Sequence, residues 1–263
     1  MPFAPINDQQ IFFTDSGGTG PAVILSHGFM MDHEMFAPQV AALADTYRVI
    51  TWDERGHGQT VVDNKPFSYW DSADDCVGLL THLGIERAVV GGMSQGGFLS
   101  LRVALRYPEK VRALILLDTE AGCEHEPVIP VYRGMMAQWM AEGPLDSLTQ
   151  TVAGLIIGEE PESSKWVAKW RAQPWNKMEF AIECLLTRDD LTARLAEITC
   201  PALVVHGESD IAIDAERANA LAAGLSGCSG VTWVPGHHAA NLTHPEAVNA
   251  AITAFLAAQS LGA

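Results

Sequence analysis

The chain has 263 residues, 48% of them hydrophobic and 18% charged, with 32 acidic against 16 basic side chains and a formal net charge of −16. That length holds one large domain, or one domain carrying an insertion, and a core of full size that needs no disulfide or metal to fold. The acid excess argues against binding nucleic acid, whose phosphates need clustered Lys and Arg, and equally against docking on an anionic membrane.

Short β-branched or apolar runs alternate with longer amphipathic ones, the rhythm of a parallel sheet wrapped by helices, an α/β class. The first extended pair is Gln10–Asp15 and Ala22–Ser26, joined by the turn-rich Ser16–Pro21. A helical pattern at Phe36–Leu43 tolerates Pro38 because it falls in the first turn. After the strand-like Tyr47–Trp52 comes a helix over Tyr69–Leu83, with Ser68 placed as its N-cap. Ala88–Gly92 reads as a strand, Phe98–Tyr107 as a helix stopping before Pro108, and Val111–Asp118 as a further strand. From Glu120 to Leu195 the strand rhythm stops and only helical segments appear. A region of some 70 residues is too long for a structureless loop, so residues 120–195 read as a helical cap inserted into a core made of residues 1–119 and 196–263. Leu203–Gly207, Ala215–Gly224, Val231–Val234 and Pro245–Ala258 then resume the alternation.

The sharpest chemical signal is Gly92-Met93-Ser94-Gln95-Gly96, a G-x-S-x-G set between an apolar run and a helical pattern. A serine on a tight strand-to-helix turn holds its hydroxyl above the sheet edge, and the residues two before and two after it must be small. The turn also aims the first N–H groups of the helix at a developing oxyanion. A hydroxyl is a weak nucleophile without a base, and Pro235-Gly236-His237-His238, after the last strand, offers two candidates. The base needs a carboxylate to fix its tautomer. Asp210 closes His206-Gly207-Glu208-Ser209-Asp210 and gives the chain order Ser, Asp, His; Asp118 and Glu120, past the preceding strand, are rivals for the role. A second oxyanion donor besides the N–H of Gln95 is expected from His27-Gly28-Phe29-Met30, at Phe29. His27 reads as an orienting residue within that loop, and Asp53-Glu54-Arg55-Gly56-His57-Gly58 as a turn held by Asp and Arg. His244 falls at the start of the final helix.

Together HGF at His27, DxRGHG at Asp53, GMSQGG at Gly92, HGxxD at His206 and a GHH before the last helix resemble the α/β-hydrolase family, in family order and over nearly the whole chain. The resemblance implies a mostly parallel eight-stranded sheet with helices on both faces and a helical cap. It implies that the base is His238, followed by Ala239-Ala240-Asn241 and the Pro245-Glu246 pair. The similarity is greatest to esterases and the 3-oxoadipate enol-lactonase-like group. Haloalkane dehalogenases and epoxide hydrolases place Asp where Ser94 stands. The C–C bond hydrolases carry a glycine-rich loop where Phe29-Met30-Met31 stands, and cofactor-free perhydrolases share the Ser–Asp–His set.

The resulting expectation is a serine hydrolase that cleaves an ester or lactone of a small apolar or aromatic substrate through an acyl-enzyme. C–C hydrolysis, perhydrolysis and a hydrolase-fold ligand sensor are the alternatives. Met30, Trp139 and Trp175 are candidate substrate contacts, although the cap's Trp and Met also suit simple packing against the core. The nine histidines show no metal-ligand spacing and the five cysteines no CxxC, so neither a metal nor a cofactor is expected. Free thiols, with no signal peptide and no apolar run of membrane length, point to a cytoplasmic protein with a small-molecule partner.

Overall fold

One eight-stranded sheet runs in the order β1-β2-β4-β3-β5-β6-β7-β8. Its strands are β1 (Phe3–Ile6), β2 (Gln9–Asp15), β3 (Ala22–Ser26), β4 (Arg48–Trp52), β5 (Ala88–Met93), β6 (Val111–Leu117), β7 (Ala202–Gly207) and β8 (Val231–Val234). The computed structural model describes residues 3–61, 65–173 and 178–259. β1 and β2 are antiparallel to their neighbours and the other six strands are parallel. Strands covered by helices on both faces read as continuous apolar runs, and β3 and β5 are buried at every position.

Three features depart from the sequence reading. The consecutive runs β2 and β3 are not sheet neighbours, because β4 lies between them. β1 was not legible as a strand: it has four residues and contains Pro5, which an edge strand tolerates. The hairpin signal was nevertheless present, since Asn7 and Asp8 both turn at positive φ (47° and 63°) between β1 and β2. The helix after β5 also starts three residues early, directly behind Ser94.

The helices are α1 (Ala37–Leu43), α2 (Tyr69–His82), α3 (Gln95–Arg106), α4 (Ile129–Glu142), α5 (Asp146–Ile156), α6 (Glu162–Ala172), α7 (Glu179–Leu186), α8 (Ala215–Gly224), α9 (Ala240–Thr243) and α10 (Pro245–Ala258). Ser68 precedes α2 as expected, and the Asp71 carboxylate accepts both its N–H and its hydroxyl at 2.7 Å. α2 and α3 pack together, with α3 on β3, β5 and β6, while α1, α9 and α10 form a second group with α10 on β7 and β8. Between β6 and β7 the chain forms α4 to α7, in which α4 packs on α7 and α5 on α6, and there is no strand among the described residues. No helix of the described residues is long and apolar enough to cross a membrane. All five cysteines are free.

The parallel register brings distant loops together. Ser26 of β3 pairs with Gly92 of β5, Met93 with Leu117 of β6, and Leu117 with Val205 of β7. The loops leaving these strands therefore emerge side by side at the carboxyl edge of the sheet, where open α/β sheets bind ligands.

Candidate active site

Ser94 stands between β5 and α3 with φ 52° and ψ −114°, a conformation that costs a non-glycine residue strain. The elbow is fixed from both sides: the Ser94 N–H donates to the Leu117 carbonyl at 2.9 Å, and the Thr119 hydroxyl donates to the Ser94 carbonyl at 2.7 Å. The flanking glycines are required by contact. A Cβ on Gly92 would press on the Gly96 backbone, and one on Gly96 would overlap the Ser26 carbonyl oxygen. Gly96→Ala is accordingly expected to lose roughly 1–3 kcal/mol or more of stability by overpacking, read by urea denaturation.

His238 leaves β8 beside the loop after β7, and its Nδ1 lies 2.8 Å from Asp210 Oδ2. Asp210 is itself held in place, with Oδ1 accepting the N–H groups of Ala212 (2.8 Å) and Ile213 (3.1 Å). His206 Nε2 stands 3.2 Å from Asp210 Oδ2 and 3.0 Å from the Ile213 carbonyl. Burial opposes charge on Asp210, but His238, His206 and the Ile213 N–H more than compensate and hold its carboxyl well below the usual range. Burial also works against charging His238, and the Asp210 carboxylate overrides it, raising the imidazole above its ordinary 6.5.

Neither rival carboxylate bonds His238 among the described residues. Glu120 is clasped by Arg188 at 2.7 Å and by Arg217. Asp118 accepts the Gly207 N–H at 2.7 Å, and burial pushes its carboxyl up to about 7. His237, adjacent to His238 in sequence, faces Glu159 at 3.8 Å, as does His244.

The loop after β3 is stapled to the turn after β4. His27 Nδ1 meets the Gly28 carbonyl at 2.8 Å while its Nε2 accepts the Glu54 N–H at 3.0 Å, which assigns the proton to Nδ1. His57 is buried, driven down to about 3 by burial and by His27, and its ring meets the edge of Phe29. Asp53 and Arg55 both hold that turn, through different partners. Asp53 accepts from His33 Nδ1 (2.7 Å) and the Gln59 N–H (2.8 Å), whereas Arg55 reaches Asp75 on α2 at 2.9 Å. Neither His33 nor Asp75 carried a sequence signal. The N–H of Phe29 and that of Gln95, the first residue of α3, have no hydrogen-bond partner among the described residues.

Overhead, α6 grips this loop. Trp170 Nε1 donates to the Met30 carbonyl at 2.8 Å, Lys169 Nζ to Asp32 Oδ1 at 2.7 Å, and Gln173 Nε2 to Asp32 Oδ2 at 3.1 Å. Met30 itself has φ 62°. Two buried groups, Asp32–His33–Asp53 and Asp118–His206–Asp210, hold ligating atoms within 4.8 Å of one another. Each of these side chains makes at least one hydrogen bond within the protein, while Asp118 Oδ2 and His206 Nδ1 have no hydrogen-bond partner among the described residues.

Ser94 and His238 line one cleft of roughly 730 Å³, its open mouth included. Phe29, Met30, Met93 and Phe98 line it from the sheet core, and Tyr132, Met135, Met136, Val152, Leu155, Ile156, Ile182 and Leu185 line it from α4, α5 and α7. Met30 is thus brought to the site. Trp139 is not: it is 2% exposed and stands edge-on to Trp170 inside the helical segment, away from the cleft lining. Trp175 lies outside the described residues.

A family model described as alpha/beta hydrolase fold matches residues 21–245. The chain belongs to that family. This hydrolase-fold chain is 28% identical over 252 residues to a 2-(acetamidomethylene)succinate hydrolase of Mesorhizobium japonicum, covering 91% of this chain and 89% of the relative. It is similar to the solved structure of a thermophilic esterase from Thermogutta terrifontis, with TM-score 0.87 and 30% identity over 95% of this chain and 93% of that one. It is also similar to the enol-lactonase of Burkholderia xenovorans LB400, with TM-score 0.89 and 25% identity over 97% and 100% of the two chains. Both solved structures share its fold over nearly its full length.

Proposed function

We propose that the protein is a serine hydrolase that cleaves an ester or lactone of a small apolar substrate in two acyl-transfer steps. The observation that carries the reading is the 2.8 Å bond between His238 Nδ1 and Asp210 in a cleft that Ser94 also lines. With Nδ1 bonded to the carboxylate, the Nε2 of His238 is left to take the Ser94 proton. The Ser94 oxygen attacks the carbonyl carbon, and the N–H groups of Phe29 and Gln95 receive the oxyanion. His238 returns the proton to the leaving alkoxide, which departs. Water then attacks the acyl carbon as His238 takes its proton, and His238 passes that proton to the departing Ser94 oxygen as the acid is released. One oxyanion donor contributes roughly 3 kcal/mol to such a step.

The likeness to an esterase and an enol-lactonase supports oxygen-ester chemistry. The Met- and Leu-rich wall from α4, α5 and α7 supports an apolar acyl or alkoxy group, with residues 120–195 serving as the cap. The test is covalent labelling by a fluorophosphonate together with a rate survey over short esters, aryl esters and lactones. Stoichiometric labelling at Ser94 is expected, and folded protein that neither labels nor turns over any of these would overturn the reading.

A pH profile adds a second check. Only the neutral imidazole accepts the Ser94 proton, so kcat/KM rises with pH as His238 deprotonates. Because Asp210 raises the pKa of His238, the acid limb is expected above 6.5. A limb well below that value would show that the paired imidazole is not the base.

A further inference from the structure

The polar end of the cleft contains an arginine whose charge is already spent. Arg188 lines the cleft with Glu120 and Glu124, yet its side chain is 2% exposed. Its Nε donates to the Gly122 carbonyl at 3.0 Å, Nη1 to Glu124 Oε2 at 3.1 Å and the Leu185 carbonyl at 2.8 Å, and Nη2 to Glu120 at 2.7 Å. The guanidinium lies 4.4 Å over the Phe98 ring. Glu120 gives its other oxygen to Arg217, so two carboxylates balance two guanidinium groups. Apart from Arg188 and His238, no basic side chain lines the cleft among the described residues.

A carboxylate entering this apolar cleft would lose its water and find no unmatched cation, and a buried charge without a partner is strongly disfavoured. We propose that the site selects uncharged acyl groups, and that Glu124 enforces the choice by occupying the guanidinium of Arg188. This rests on the acyl-enzyme reading and names its substrate class. Glu124 is the decisive member for two reasons. It is the more accessible carboxylate, its side chain 14% exposed against 3% for Glu120, and among the described residues Arg188 is its one ion-pair partner. Neutralising it leaves Arg188 with one carboxylate, which Arg217 shares, and gives the cluster a net positive charge that faces the cleft.

The test uses matched six-carbon substrates, p-nitrophenyl hexanoate and the mono-p-nitrophenyl ester of adipic acid, which differ by a terminal carboxylate. The wild-type kcat/KM is expected to favour the hexanoate by roughly 10- to 100-fold. Glu124→Gln and Glu124→Ala are each expected to shrink that ratio about tenfold, mainly through the KM of the anionic ester. The ratio is the readout, so a general loss of activity cancels. A wild-type ratio near one, or a ratio unmoved in both variants, would overturn the proposal. Calorimetric binding of hexanamide and adipamic acid to Ser94→Ala protein separates this failure from failure of the acyl-enzyme reading, because it needs the cleft and no chemistry. Tighter binding of the neutral amide supports the proposal; equal or tighter binding of the acid, or no binding of either, refutes it.

Discussion

Ser94→Ala is expected to lower kcat on any substrate the enzyme turns over by a factor on the order of 10⁶, with KM changed far less. On the proposed mechanism Ser94 supplies the bond-forming atom, so its loss removes a step and leaves only the oxyanion donors and binding to assist water. Fold should be preserved. Ser94 occupies a strained positive φ, and alanine is no worse suited to it than serine. Stability would be read by urea denaturation, activity by ester hydrolysis, and labelling by loss of the fluorophosphonate adduct. A variant that retained labelling would move the nucleophile elsewhere.

The second large effect separates two carboxylates, Asp210 after β7 and Glu120 after β6. Asp210→Asn is expected to cost about 10⁴ in kcat, because an amide can donate to Nδ1 and so place the imidazole in the wrong tautomer. The acid limb of the pH profile should move down as well, since the carboxylate that raises His238 is gone. Glu120→Gln should behave differently. It leaves the buried Arg188 with Glu124 alone and takes the carboxylate from Arg217, and is expected to cost roughly 1.5–3 kcal/mol of stability, read as a lower denaturation midpoint. Its kcat should stay far above that of Asp210→Asn. If the two variants lost activity alike, the acid would have to be sought at Glu120.

Much of this site could be read in the chain because its signals are local. An apolar run, a G-x-S-x-G and a helical pattern lie within some 20 residues, and the approach of Gly92 to Gly96 is set within the turn itself, although Gly96 also answers to the distant Ser26 carbonyl. The strand limits at Ala22–Ser26 and Val231–Val234 and the helix limits at Ala215–Gly224 and Pro245–Ala258 coincide with their periodicity. What stayed hidden depends on contacts between distant segments. The partner of Arg55 is 20 residues away on α2, and Glu120 meets Arg188 across 68 residues. No spacing rule encodes such pairs. Trp139 shows the same limit, since an indole suits a helix–helix contact as well as a ligand, and only packing against Trp170 decides between them.

The bonds from Lys169, Trp170 and Gln173 to the loop after β3 make the helical segment more than a cover. The Met30 carbonyl that Trp170 holds belongs to the residue next to Phe29, so the position of that amide is set jointly by the sheet below and by α6 above. On the proposed mechanism, a displacement of α6 sufficient to break the 2.8 Å bond would free the same stretch of backbone that must be still when charge builds on the substrate. Access to the cleft and readiness for chemistry are therefore one mechanical variable, and a substitution in α6 far from Ser94 would be felt first as a slower turnover.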